Sequence, residues 1–277
     1  MENQLYYNQW REFTTVVLRK PGKPNYETPK AYWPITLIST MAKVLTSIVA
    51  ESLSQIAEQH QLLPKNHFGG RPGQNSIDAI HYLVDKILTA WRSDKVVSVL
   101  YLDVEGAFPN VSPKRLIHNL KKRRFPTTII NFVKMLLTNR KTRLQFNDYT
   151  SKIIHVKNGI GQGDPLSMIL YIFYNADILD IPNITTKEDA MGYVDDIDFI
   201  VITKNFQETT KIIRDMTTRQ DGRHQWSITH NSLFGVPKSI ITHYSRRTIK
   251  DPNSDNQLIL LPRPVLILDG QTVQETN

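Results

Sequence analysis

The chain has 277 residues, 34 Lys or Arg against 26 Asp or Glu, a net charge of +8 and no cysteine. Neither a disulfide framework nor a thiolate zinc site is therefore available, and no apolar run approaches bilayer-spanning length. The start, MENQLYYNQWREF, lacks the apolar core of a secretory signal, so a soluble intracellular protein of the nucleus or cytoplasm is expected.

Thr14 to Leu18 reads as a strand entering the turn Arg19-Lys20-Pro21-Gly22-Lys23-Pro24. Met41, Val44, Leu45, Ile48, Val49, Leu53 and Ile56 recur at helical spacing behind a cap at Ser39 or Thr40. Leu63 to Gly73 is too rich in Gly and Pro to be regular. Ser76 is expected to cap the next helix, whose Ile77, Ile80, Leu83, Val84, Ile87, Leu88 and Trp91 face a core. The apolar run Val96 to Leu102 is a strand that ends in Asp103.

Ser112-Pro113 is a cap and first-turn pair for a helix through about Arg124, and Pro126 begins another. Thr142 to Phe146 and Ile153 to Lys157 read as a hairpin around Asn147-Asp148. Gly159 to Pro165 is a glycine-rich loop opening a helix to about Asp180. Tyr193-Val194-Asp195-Asp196 is a hairpin tip between apolar runs, followed by a helix near Asn205 to Arg219 and a strand at Ser239 to Tyr244. Acid-bearing strands interleaved with helices give an α+β class.

Asp103, Asp195 and Asp196 are three carboxylates from two strand ends in a basic chain. Two-metal phosphoryl transfer needs such a set, because hard Mg2+ ions take oxygen ligands and bridge substrate phosphates. An Asp pair in a turn can equally bond its own backbone amides. The charge is also unevenly placed: from Lys114 to Arg143 there are ten Lys or Arg and no Asp or Glu. A one-sign stretch of this length favours a polyanion partner, where an ordinary helix surface mixes both signs.

Leu18 to Lys23, Tyr32 to Leu37, Phe68 to Pro72, Leu102 to Phe108, Gly159 to Ser167 and Gly192 to Asp196 occur in one continuous order. On these residues the chain resembles the reverse transcriptase domain of non-LTR (LINE-type) retrotransposons. The resemblance implies the fingers and palm of a right-hand polymerase, with an antiparallel palm sheet and packed helices. It places fingers in residues 1–95 and palm in 96–277, with helical finger insertions. The implied activity is RNA-directed DNA polymerase, with RNA template, DNA primer and dNTPs as partners and two Mg2+ ions, replaceable by Mn2+, as cofactors.

By the same resemblance, Asp103 and Asp195 would coordinate both ions with the Val104 carbonyl, and Asp196 would ligate or position its neighbour. Phe108, five residues after Asp103, would close the sugar pocket against a 2′-hydroxyl, and so select deoxynucleotides. Gln162 and Gly163 would meet the incoming nucleotide, as would Lys20 and Lys23. Arg71, Tyr193 and the group Lys121, Lys122, Arg123 and Arg124 would touch nucleic acid. Lys238 would donate a proton to pyrophosphate.

Three departures from the family pattern stand out. Trp33 replaces an Arg expected to contact the triphosphate, Pro109 follows Phe108 where Asp is common, and Asp198 adds a further acid beside the catalytic pair. Upstream there is no room for an endonuclease, and Leu266 to Gln271 resembles the approach to a primer grip, so grip and thumb are expected to be absent. A decayed nucleic-acid-binding remnant and an intron maturase-like protein are the alternative readings.

Overall fold

The computed structural model describes residues 6–183, 187–251 and 257–276. Its strands are β1 (Glu12–Arg19), β2 (Tyr32–Leu37), β3 (Val96–Asp103), β4 (Arg140–Phe146), β5 (Tyr149–Thr150), β6 (Ile154–Val156), β7 (Glu188–Tyr193), β8 (Asp196–Thr203), β9 (Ile240–Tyr244), β10 (Thr248–Lys250), β11 (Leu258–Leu260), β12 (Ile267–Leu268), β13 (Gln271–Thr272) and β14 (Gln274–Thr276). Its helices are α1 (Thr40–Gln59), α2 (Ser76–Arg92), α3 (Ala107–Asn110), α4 (Pro113–Lys122), α5 (Thr127–Leu136), α6 (Pro165–Asn175), α7 (Phe206–Thr218) and α8 (Arg223–Thr229). Two compact units result, each from two stretches of chain: Met1–Leu62 with Gly106–Tyr174, and Leu63–Glu105 with Asn175–Asn277.

In the first unit β1 is central, antiparallel to β2 and parallel to β4, and β4 carries β5 and β6. A buried hydroxyl pair, Thr15 to Thr142 at 2.8 Å, ties β1 to β4. The hairpin around Asn147-Asp148 is shorter than its sequence suggested: β5 closes it, while β6 pairs further back, Arg140 with Val156. Helix α6 buries Leu170, Tyr171, Ile172, Phe173 and Tyr174 completely or nearly so. A helix apolar on all sides belongs at a centre. The Asn119 amide of α4 donates to the Tyr174 carbonyl at 2.9 Å.

The second unit is built on the sheet β14-β9-β3-β8-β7, antiparallel except for the β14 and β9 pair. Strand β3 is its middle, and period-2 alternation sorts its side chains. Leu100 and Leu102 join Phe199, Val201, Ile213 and Met216 on the α7 face. Val97 and Val99 join Ile200, Ala79, Ile87 and Phe68 on the α2 face. Burial on both faces explains why β3 reads as an unbroken apolar run.

Caps mark the helix starts. Helix α2 is capped by Asn75 rather than Ser76: its side chain accepts from the Ile77 and Asp78 amides, and Asp78 accepts from Asn75 in return. This reciprocal capping box needs the extended backbone that Asn75 adopts and Ser76, the first helical residue, does not. Ser112 and Asn205 cap α4 and α7 through the Arg115 and Glu208 amides. The helix opened by the glycine loop ends at Asn175 and tightens into a 3-10 turn, Ala176–Asp180.

Candidate active site

Asp103 ends β3 and Asp196 begins β8, and the two are direct partners in the antiparallel register, as are Tyr101 and Asp198. Directly opposed residues share a face, so Asp103, Asp196, Asp198 and Tyr101 all lie on the α2 side of the sheet. There they line a cavity of about 420 Å3 with Ser76, Ala79 and Ile80 of α2, Tyr193 and Lys238. The charged groups of the lining are Asp103, Asp196, Asp198 and Lys238, and the run of basic residues belongs to the other unit. Lys238 Nζ donates to Asp103 Oδ2 at 2.8 Å.

The carboxylates disfavour one another's charge. Burial pushes the Asp195 carboxyl up and Asp103 adds to this, against its own backbone amide and Lys238. Asp196 is raised by burial, then by Asp195 and Asp103. Asp198, 9% exposed, is pushed up to about 7 by burial and by Asp196. The Tyr101 hydroxyl is raised by burial, by its hydrogen bond with Tyr244 and by Asp198.

The turn carrying Asp195 is strained and braced. Val194 has φ +60°, a left-handed conformation that a β-branched side chain adopts at a cost of about 1–2 kcal/mol. The Asn175 amide donates to the Val194 carbonyl. Beside the turn, the Asn66 to Gly70 segment pairs with β7: Phe68 N donates to the Gly192 carbonyl at 2.8 Å, and Gly192 N to the Asn66 carbonyl at 3.0 Å. Position 69 must be glycine, because a Cβ there would stand 2.6 Å from the Val194 amide nitrogen. Arg71 Nη1 donates to the Pro64 and His67 carbonyls, both at 2.9 Å, and so closes this loop on itself.

Val104 forms a bridge with Phe234, and the Asp103 carbonyl accepts from Gly235 N at 3.2 Å. Asp103, Val104, Tyr193, Asp195, Asp196 and Lys238 thus all belong to one unit. Phe108, Gln162, Gly163, Lys20, Lys23 and the Lys121 to Arg124 group belong to the other. In that unit Phe108 stacks on Tyr171 at 5.0 Å and 16°. The Gln162 carbonyl accepts from Thr36 N of β2 at 2.7 Å. Gly163 has φ +107° and lies so near the Thr36 carbonyl that a Cβ would approach it to 3.0 Å. The Lys20 amide donates to the Ala31 carbonyl at 2.8 Å, Lys23 lies exposed just past the turn, and Trp33, 44% exposed, pairs with Leu18. Arg123 Nη1 donates to the Leu62 carbonyl at 2.7 Å, while Lys121, Lys122 and Arg124 are exposed.

Sequence reasoning missed Asn175, Asn66 and Gly69 as supports of the turn. Asn175, a polar residue closing an otherwise apolar helix, was the one readable sign. Hard carboxylate oxygens on one face, each raising its neighbours' pKa, fit the demands of a divalent cation, whose charge would offset that repulsion. Among the described residues, no group of three or more such side chains is already gathered to hold a metal.

Over residues 18–230 the sequence matches the family described as "Reverse transcriptase (RNA-dependent DNA polymerase)". The chain belongs to the reverse transcriptase family. This reverse transcriptase domain is 28% identical to a probable RNA-directed DNA polymerase from transposon BS of Drosophila melanogaster, matching 78% of the chain and 24% of that protein. It is also 28% identical to the corresponding protein of the X-element, matching 83% and 25%. A type-1 retrotransposable element R2 Pol polyprotein of Nasonia vitripennis is 24% identical over 66% of the chain and 18% of its own length. The non-LTR resemblance read from the motifs is matched by these relatives, of which the chain spans about a quarter or less.

Among solved structures, Candida tropicalis telomerase in complex with a telomeric RNA fragment aligns with a TM-score of 0.58 and 11% identity, over 86% of this chain and 42% of that one. That likeness shows the fold, the right-hand α+β fold of reverse transcriptases. Reverse transcriptases use divalent metal ions and bind nucleic acid. No helix among the described residues is long and apolar enough to cross a membrane.

Proposed function

We propose that this domain is the catalytic part of an RNA-directed DNA polymerase that adds dNTPs to a primer 3′-hydroxyl on an RNA template. The observation that carries the reading is the β3 and β8 register, which sets Asp103 opposite Asp196 in the lining of the cavity. The unit built on β3 would serve as palm, and the stretches 1–62 and 106–174 as fingers.

Asp103, Asp195 and Asp196 would hold two Mg2+ ions, or Mn2+ in their place, with the Val104 carbonyl as a further oxygen donor. Bound there, the ions supply Lewis acidity for in-line displacement at phosphorus. Tyr193, Ala79 and Ile80 give the cavity an apolar rim suited to a nucleoside. Lys238, held beside Asp103, would deliver a proton to the departing pyrophosphate. Phe108, its plane fixed by Tyr171, would reject a 2′-hydroxyl, and Gln162, Gly163, Lys20 and Lys23 would receive the nucleotide.

Primer extension on an RNA template with dNTPs and Mg2+ tests this reading. The parent domain should extend and Asp195→Asn should not, while Phe108→Ala should admit ribonucleotides. Equal extension by the parent and Asp195→Asn would refute it. A second reading, nucleic-acid binding without catalysis, draws on the extra Asp198 carboxyl in the cavity, and predicts binding with no extension by either protein.

A further inference from the structure

Helices α4 and α5 pack side by side in the first unit and leave a groove of about 480 Å3 between them. Lys114, His118 and Lys121 of α4 and Lys134 of α5 line it, over a floor that includes Ile117 and Leu137. Positions 114, 118 and 121 fall on one face of a helix, so the sequence places these groups in a row. All four are exposed. Among the described residues no ion pair or hydrogen bond engages the ammonium group of any of the three lysines. The chain carries no Asp or Glu from Gly106 to Asn147, so no local acid offsets the row.

We infer that this groove binds the phosphate backbone of structured RNA, a contact separate from the carboxylate cavity and resting on the polymerase reading for the identity of the polyanion. The row on α4 spans about 10 Å at 1.5 Å per residue, the length of about three phosphates of one duplex strand. Its lining holds one ring, the His118 imidazole, and no Phe, Tyr or Trp, so it offers no run of platforms for successive unstacked bases. A helical stem held by its backbone fits such a floor, and an extended single strand read through its bases does not. Of the group Lys121 to Arg124 that the resemblance implied, Lys121 lines this groove. Arg123 is turned inward to the Leu62 carbonyl, and Lys114 and Lys134, far apart in the run, line the same groove.

The test uses the full chain carrying Asp195→Asn, with fluorescence anisotropy of a labelled RNA hairpin across a salt series. Lys114→Gln/Lys121→Gln/Lys134→Gln should weaken binding roughly tenfold or more and flatten the log-log salt slope by about 2 to 3, at about 0.9 per lost phosphate contact on duplex. Lys204→Gln/Lys211→Gln/Lys250→Gln, the same charge change on the other unit, should leave the slope unchanged. Equal effects from both triple variants, or none from the first, would overturn the groove while leaving the polymerase reading intact. A parent that binds no RNA even at low salt would overturn both. Should the triple variant melt early, Lys121→Glu, one exposed charge reversal, gives the same reading: weaker binding supports the groove, unchanged binding overturns it. Tighter binding of a DNA hairpin of the same sequence, lost in the triple variant, would overturn the assignment to RNA.

Discussion

The two units treat charge in opposite ways. Around the turn into β8, the Asp195, Asp196 and Asp198 carboxyls are withdrawn from water to different degrees and pushed up by burial and by a neighbouring acid. Along α4 and α5, cations stand in solvent with no acid in the surrounding sequence. Negative charge held against its own solvation stores free energy that a bound cation releases. Charge left in water costs little to hold and acts through many weak, salt-sensitive contacts. The first arrangement suits chemistry and the second suits binding.

The sharpest way to break this contrast is Asp195→Asn, which keeps shape and removes charge. Primer extension should fall at least about 10³-fold, since metal-assisted stabilisation is worth several kcal/mol, while RNA affinity at the α4 and α5 groove should stay within a factor of about two. A matching loss of RNA binding would show that the two regions do not divide the work.

The next largest effect belongs to Arg219, which reaches the mostly buried Glu188 at 2.8 Å. Burial pushes the Glu188 carboxyl up, but Arg219 and Asn183 outweigh it and the net shift is downward. A depressed carboxylate stabilises the fold above its unfolded pKa of about 4.3, and that contribution is lost as pH falls through the folded value. Arg219→Gln should therefore cost about 3 kcal/mol near neutral pH, with the difference from the parent shrinking below about pH 4. Urea denaturation at both pH values measures this, and a pH-independent difference would assign the loss to packing.

Two smaller effects sharpen the comparison. Trp33→Arg adds a cation to β2, where charge-assisted bonds to a triphosphate should lower the half-saturating dNTP concentration roughly tenfold, about 1.4 kcal/mol. No change would mean that Lys20 or Lys23 already serves the phosphates. Val194→Asn replaces a strained β-branched residue with one that tolerates φ > 0, so stability should move by less than about 1 kcal/mol as strain relief offsets lost packing. Extension should fall more than stability does, because the turn is less firmly set; a stability loss above about 2 kcal/mol would show that packing dominates.

Much of this was legible in the chain. The run Val96 to Leu102 with its terminal Asp103, the Tyr193 turn and the cap at Ser112 are local signals, each fixed by neighbours in sequence. What stayed hidden depends on pairing at long range. Asn175 holding Val194, and Asn66 and Phe68 extending the sheet at Gly192, could not be read before the strands were in register. The register also sorts the acids, for it alone shows that Asp198 shares the face of Asp103 and Asp196. The basic run was visible as composition, but helix packing decides that Lys114, Lys121 and Lys134 face one groove while Arg123 turns inward.

The tight approach of Gly69 to Val194 makes the placing of the aspartates depend on a residue that carries no charge. A methyl group at 69 would press on the backbone of the turn from 2.6 Å, shifting the aspartates while leaving every one of them in place. A Gly69→Ala variant would keep every acidic side chain and yet present Asp195 and Asp196 on a displaced turn.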